Sequence, residues 1–437
     1  MKIFSELSKF RKQAYELLGK GRDSLCDLMD AVLTSRSVSS FAELSLSPVF
    51  RRSWSSLYKV LERSEPCPLE LLKRYGQHVE RPKERPLLLV GDHTAWPRPE
   101  AVTLKERTYE HSPQGNLNGH PVCVGQGYSS LVCVPEAEGS WTLPLLHERI
   151  TSFESPIEKA ATQLRQVCEV VNTRPLSLWD SEYGCVRFVK LTADIACDKL
   201  IRLRPNRVLY GPPAAYQGIG RPPKHGEKFK LKDSSTWPDA QECLEFEDDK
   251  LGSMRLRRWD NLHFRESADH PMTLILVERL DESGQLKQPP LWLLWLGQDQ
   301  LALESLARLY LERFSIEHWY RFLKQRLHWC LPRLGTREQS ETWSHLMPLM
   351  TWQLWLARGE AQDQPLPWQK PFTHKTPGRV AQGFAAILAR ISSPASAPKP
   401  RGKSPGWPAG SPRTPRIRFP TVKKTYSPPK SKSRRPV

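Results

Sequence analysis

Asp92, Asp180 and Glu317 are the residues of this 437-residue chain from which chemistry is most readily built. Asp92 follows the apolar run at 87–90 in PLLLVGDHTAWPRP, and Asp180 follows 176–179 in RPLSLWDSEYG. Each run is short and bounded by Pro or Gly, which predicts a buried strand with an acid at its end. Ligands of α/β sheets gather outside the carboxyl ends of the strands. Carboxylates brought together repel unless a cation joins them, and oxygen-only donors select hard ions such as Mg²⁺ or Mn²⁺. Two such ions about 3.5–4 Å apart activate an attacking oxygen and stabilise a leaving oxygen at phosphorus. The chemistry these parts suit is phosphoryl transfer on nucleic acid.

Glu317 belongs to a predicted helix over 300–328. With Tyr310 set at 0° and 100° per residue, Arg313, Glu317 and Lys324 fall at about 300°, 340° and 320°. Leu311, Ile316, Trp319, Phe322, Leu323 and Leu327 occupy a separate apolar arc. One face therefore packs, and a narrow stripe presents a carboxylate among two cations and a phenol. Arg313, Lys324 and Tyr310 on that stripe would hold neighbouring phosphates. Arg313 and Glu317 also suit a plain i,i+4 ion pair of about 0.2–0.5 kcal/mol.

Other groups compete for these roles. Glu182 shares a strand face with Asp180 at i+2 and is a reserve acid. His93 follows the first Asp and reads more readily as a neutral structural side chain. Asp194 and Asp198 lie near the second strand, but TADIACDKL looks helical, which ranks them below Asp180.

Residues 1–80 read as helices, and SPVFRRSWSSLYKVLERS mixes Arg51, Arg52 and Lys59 with apolar residues. A helical domain with one basic face would bind DNA, and a plain helix-packing domain explains the pattern equally well. ERPKERP at 80–86 reads as a linker. Residues 119–136 hold two β-like runs, and 154–172 form an amphipathic helix. Residues 201–300 alternate β-like runs with Pro/Gly turns and read as a mostly β insertion. Helical pattern returns at 301–360. From about 393 the chain is rich in Ser, Pro, Lys and Arg, a composition that predicts disorder.

The formal net charge is +18, from 65 Lys and Arg against 47 Asp and Glu. The last 39 residues hold 12 of those cations and no acid, leaving +6 for the rest. Such an excess suggests a polyanionic partner. Nine dispersed Cys without CxxC pairs argue for reduced thiols in a cytosolic protein and against a zinc site. No apolar run is long enough for a membrane span, and the N-terminal stretch lacks the apolar core of a secretory signal.

YLERFSIEHWYRFLK at 310–324 contains Tyr-x2-Arg-x3-Glu-x6-Lys without a gap. It resembles the insertion-sequence transposases of the YREK, or insertion-sequence-4-like, group, a branch of the DDE transposases. The resemblance covers about residues 85–330. It implies an α/β fold with a ribonuclease H-like catalytic core (85–200 and 301–360) interrupted by a β-rich insertion (201–300). An N-terminal helical domain (1–80) and a C-terminal extension (361–437), disordered and basic from about 393, flank that core. It implies that Asp92, Asp180 and Glu317 hold two Mg²⁺ or Mn²⁺ ions. Water then attacks the transposon end, and the freed 3′-hydroxyl attacks target DNA. Tyr310, Arg313 and Lys324 would contact DNA-end phosphates. The implied partners are double-stranded DNA ends and target, with no membrane, and a homodimer in the synaptic complex. The implied location is bacterial cytoplasm, associated with the nucleoid.

In such enzymes an aromatic residue of the β insertion stacks on a flipped base. Among Trp259, Trp292 and Trp295, Trp259 beside Arg257 and Arg258 is the better candidate, because the other two lie in the apolar run LWLLWL. GRPPKHG at 220–226 would send Arg221 and Lys224 into a DNA minor groove, or is an ordinary Pro-rich turn. A DNA-binding descendant without cleavage, another ribonuclease H-like nuclease and a carboxylate-pair glycosidase are the competing functions. The intact acids, the Tyr310–Lys324 pattern and the positive charge respectively argue against them.

Overall fold

The computed structural model describes residues 2–425 apart from 83–84, 114, 138, 217, 219, 299–300, 370–373, 401–405, 407 and 413–414. Four helices open the chain: α1 (Lys2–Leu17), α2 (Arg22–Thr34), α3 (Trp54–Arg63) and α4 (Pro68–Gly76). Four strands follow: β1 (Leu88–Pro97), β2 (Thr108–His111), β3 (Val122–Val134) and β4 (Leu143–Ile150). Helix α5 (Pro156–Val171) starts at a capping box in which Ser155 and Glu158 satisfy each other's backbone amides. Next come β5 (Leu176–Trp179), α6 (Val186–Leu191) and β6 (Asp198–Leu203).

Strands then dominate: β7 (Val208–Tyr210), β8 (Lys228–Lys230), β9 (Glu242–Asp248), β10 (Gly252–Leu262), β11 (Met272–Arg279) and β12 (Leu291–Leu296). Helices α7 (Leu303–Leu311), α8 (Ser315–Gln325), α9 (Arg337–Ala357) and α10 (Pro377–Leu388) complete the chain.

The main sheet is mixed. Its order is β2-β3-β1-β5-β6-β12-β11-β10-β9, with β4 also paired to β3. β1 is antiparallel to β3 and parallel to β5, and β5 is parallel to β6. The β-rich stretch expected at 201–300 is present. Strands β9–β12 extend the central sheet through the β12–β6 pairing, while β7 and β8 form a separate ribbon. The two runs expected at 119–136 are one long strand, because β3 is paired along its length with β1.

Helix α9 is the hub. It packs on β4, α1, α3 and α10, and nearly all of its side chains are buried. Trp352 stacks flat on Tyr75 at 5.6 Å, and Trp355 meets Trp141 edge-on at 5.3 Å. The N-terminal helices and the sheet thus contribute to one continuous apolar core. A buried Arg11 guanidinium holds Asp30 with two bonds of 2.7 and 2.8 Å and also reaches Gln353 of α9.

Three expectations are corrected by this packing. The Arg51 and Arg52 guanidinium groups, read as part of a basic face, are both engaged by the buried Asp27, at 2.8 and 2.9 Å, although Arg51 itself stays exposed. Both guanidinium groups also donate to the carbonyls of Ala395 and Ser396. The 300–328 helix is broken by a 3-10 turn at Glu312–Phe314. The third correction concerns the C-terminal extension.

Residues 416–425 lie against the sheet edge instead of trailing as a disordered tail. Phe419 and Val422 donate backbone bonds to Val102 and Arg107, and Val422 bridges Thr108 of β2. Lys424 pairs with the buried Glu110 at 2.8 Å. Composition predicted disorder because the segment carries few apolar side chains. Backbone bonds to an open strand edge replace what those side chains lack. Residues 426–437 lie outside the described residues.

The Arg11–Asp30 pair yields a stability prediction. Removing one partner leaves an uncompensated buried charge, so Asp30→Ala should cost about 3–5 kcal/mol in urea unfolding. The double variant Arg11→Met, Asp30→Ala should recover most of that loss. A double variant as unstable as the single one would show that the pair is not the source.

Candidate active site

Strand pairing brings the first two acids together. The parallel β1–β5 ladder runs from Leu88↔Leu176 to Gly91↔Trp179 and stops there. Asp92 and Asp180 are the next residue on each strand, so they emerge side by side. Asp92 does not end its strand as expected. β1 continues to Pro97 against β3, and Asp92 instead marks the point where the parallel ladder opens.

That opening is built by size. A Cβ on Gly91 would fall 1.9 Å from the Trp179 ring. Trp179 is buried, packs against Tyr183 and Phe188, and anchors its indole N–H on Ser177 Oγ at 2.9 Å. The chain turns sharply after Asp180, whose Oδ1 accepts the Glu182 amide at 2.8 Å. Gly184 closes that turn against the Arg202 carbonyl, 2.4 Å from where a Cβ would lie.

The carboxyl of Asp92 accepts the His93 amide at 2.8 Å. Burial pushes its pKa up to about 6; the neighbouring His93 charge opposes that rise and Asp180 adds to it. His93 Nε2 stands 3.7 Å from Glu182 Oε2, so the reserve acid lies beside the pair.

The late helices dock onto this opening. Tyr310, at the end of α7, is buried and donates its hydroxyl to the Trp179 carbonyl at 3.3 Å. Burial pushes the phenol up to about 12. Tyr320 of α8 donates to the Asp92 carbonyl at 3.0 Å. Lys324, exposed, donates to Thr94 Oγ1 at 2.7 Å. Arg313 in the 3-10 turn is buried and donates to Glu317 Oε1 at 3.2 Å. Burial opposes its charge, and the charges of Tyr310, Asp92, Asp180 and Glu317 together outweigh that cost and raise its pKa. Arg313 thus lies within electrostatic reach of all three expected acids.

Asp92 and Asp180 are therefore adjacent, Arg313 lies near them and holds Glu317, and Lys324 meets β1 at Thr94, two residues beyond Asp92. Glu317 is half exposed and turned toward Arg313. Among the described residues no three His, Cys, Asp or Glu side chains are drawn together as a metal cage. The Asp92–Asp180 pair does offer hard oxygen donors whose mutual repulsion a divalent cation would relieve. The residues fit such an ion through these two carboxylates.

Other expected site residues lie elsewhere or face inward. Tyr310 was expected to touch phosphate, but its hydroxyl is taken up by a backbone carbonyl. Trp259 is 1% exposed and cannot stack on a flipped base. It packs against Phe229, Trp237 and Trp292 and donates to the Pro238 carbonyl at 2.9 Å. The flanking Arg257 and Arg258 suggested an exposed ring, yet alternation along β10 turns only Arg258 to the other face, and Arg257 covers the ring at 5.8 Å from its centre. The two arginines pair with Glu278 and with Glu242 and Asp260.

Trp292 and Trp295 are core residues as expected. Arg221 and Lys224 are exposed on the loop between β7 and β8, apart from the strands that carry the acids. Asp194 is paired with Arg165. Asp198 is paired with Arg174 and opens β6 at the far end of the sheet from Asp180, so its setting is a strand and not the expected helix. Tyr320 and Thr94 were not anticipated. The signal for Tyr320 was its position three residues after Glu317 on the same helix.

The family model of the DDE superfamily endonucleases matches residues 14–263, more than half of the chain, and the chain belongs to that family. The matched stretch includes Asp92 and Asp180 and ends before α8. No curated protein matches the chain. No helix among the described residues is long and apolar enough to cross a membrane.

Two outcomes test the site. Gly91→Ala should destabilise the protein by about 1–3 kcal/mol through overpacking against Trp179; an unchanged urea midpoint would show that the indole has room to move. Asp92 keeps its proton in the folded state at pH values where the unfolded chain, near 3.8, has lost it. Its contribution to stability therefore declines as pH rises from about 4 to 6. Asp92→Asn should stabilise the fold by on the order of 1–3 kcal/mol at pH 7.5 and little at pH 4. Equal effects at both pH values would contradict the raised pKa.

Proposed function

We propose that this DDE superfamily endonuclease is a transposase of the YREK group that cuts DNA at the ends of an insertion sequence and joins them to target DNA. The observation that carries the reading is the β1–β5 register, which opens with Asp92 and Asp180 adjacent beneath the helices bearing Tyr310, Arg313, Glu317 and Lys324. The strand order β4-β3-β1-β5-β6, with the last three parallel, supports a ribonuclease H-like core. The β9–β12 extension agrees with an insertion ahead of the late helix.

In this reading Asp92 and Asp180 would hold the divalent ions that the family uses, and Glu317 would join them once Arg313 releases it to bind a DNA phosphate. The ions supply Lewis acidity at the scissile phosphate. Arg313 is pre-placed by burial to balance the carboxylates before substrate arrives, and its guanidinium suits a phosphate held through two bonds. Tyr310 and Tyr320 are positioning residues: each fixes a backbone carbonyl beside one of the paired acids. Lys324 is exposed and reaches strand or phosphate. A homodimer would pair two ends in the synaptic complex, and no membrane is involved.

The test is a cleavage assay on DNA carrying the sequences that flank the gene, in Mg²⁺ or Mn²⁺. Asp180→Asn and Glu317→Gln should each lower nicking at least about 1000-fold, the scale of losing one transition-state contact or more, while DNA binding persists. Full activity in Glu317→Gln would reject Glu317 and make Glu182 the third acid. Binding without cleavage in either metal would favour a DNA-binding descendant.

A further inference from the structure

A cavity of about 1130 Å³ lies beyond the end of β1, between the loop after α8 and the docked C-terminal strap. Arg98, Arg333 and Arg416 line it, together with Tyr58 and Phe419. Arg98 is only 8% exposed. Its guanidinium lies 5.2 Å from the Trp96 ring centre, and one terminal nitrogen donates to the Leu334 carbonyl. The other, Nη1, is buried without a hydrogen-bond partner. A buried donor on a cation carries a large cost unless an acceptor meets it. Arg333 and Arg416 stand exposed. Behind them Arg107 is buried and ties the Pro99 carbonyl to that of Phe419, fixing the strap as one wall.

Burial presses Arg98 downward; Tyr128 and Cys330 oppose it, and the charges of Arg333 and Arg107 add smaller downward contributions. Among the described residues no carboxylate is paired with Arg98, Arg333 or Arg416. Glu62 and Glu100 also line the cavity. A compact anion would feel those acids directly, whereas a strand with spaced phosphates can pass them and still meet the three cations. Tyr58 and Phe419 add aromatic surface for bases. Cations tracking a backbone beside aromatic faces are what single-stranded nucleic acid requires.

Arg98 follows the last residue of β1 and lies six residues from Asp92, about 20 Å at strand rise. That distance equals about six nucleotides of duplex rise. We propose that this cavity is a second nucleic-acid site that holds a single-stranded stretch of DNA leading away from the carboxylates, with Arg98, Arg333 and Arg416 on its phosphates. The proposal rests on DNA being the substrate, and its test is independent of cleavage.

The experiment measures binding of a fluorescein-labelled twelve-nucleotide oligothymidylate to the full chain, without metal, across a salt series. Arg333→Ala with Arg416→Ala should weaken binding about tenfold and reduce the slope of log K against log salt by about 1.4, or 0.7 per contact. The charge reversal Arg333→Glu with Arg416→Glu should weaken it further. Unchanged affinity and slope in both variants, with thermal midpoints retained, would overturn the proposal. So would a loss confined to duplex of equal length. If the oligonucleotide responds as expected but no DNA is cleaved in any metal, the transposase reading fails and this site stands. If cleavage is intact and the oligonucleotide is indifferent, only this site fails.

Discussion

The parallel pairing of β1 with β5 is the constraint on which the rest depends. It ends at Gly91 and Trp179 because the indole fills the space a side chain at 91 would need. Beyond that point the two strands part, and the next residue on each is an aspartate. A one-residue slip would send both carboxyls to opposite faces. Trp179, Tyr183 and Phe188 form the aromatic floor that fixes the register. The charged opening thus stands on the least polar part of the sheet, and the same burial raises Asp92.

The late helices complete the opening through groups that are mostly buried. Tyr310 and Tyr320 hold the carbonyls of Trp179 and Asp92, which attaches α7 and α8 to both strands at the level of the acids. Arg326 then fastens the end of α8 to the carbonyls of Val32 and Leu33 in α2. The 3-10 turn between α7 and α8 divides the stripe drawn on a straight helix. Tyr310 and Arg313 turn inward, while Glu317 and Lys324 remain toward solvent. Two residues of the pattern therefore support the site and two face what enters it.

Positive charge is used in the same divided way. Arg11, Arg51, Arg52 and Arg107 tie helices, loops and the C-terminal strap together. The planar guanidinium serves this purpose because it satisfies several carbonyl and carboxylate oxygens at once. A net charge of +18 is therefore an unreliable map of where DNA would lie. The strap shows the converse: a segment with few apolar residues is ordered by backbone bonding at a sheet edge and one buried Lys424–Glu110 pair.

Sequence alone determined the acids at 92 and 180, the short apolar runs before them, helix α5, the β-rich stretch before the late helices, and the residue pattern of 310–324. These are local features: turn residues, apolar periodicity and spacing are written in consecutive positions. Tertiary structure decided which cations face inward, that Trp259 is core, and that 416–425 docks on β2. Each of those depends on partners far away in sequence, such as Asp27 for Arg52, Pro238 for Trp259 and Glu110 for Lys424. Burial belongs to a pair of surfaces, and one strand or helix read by itself supplies only one of them.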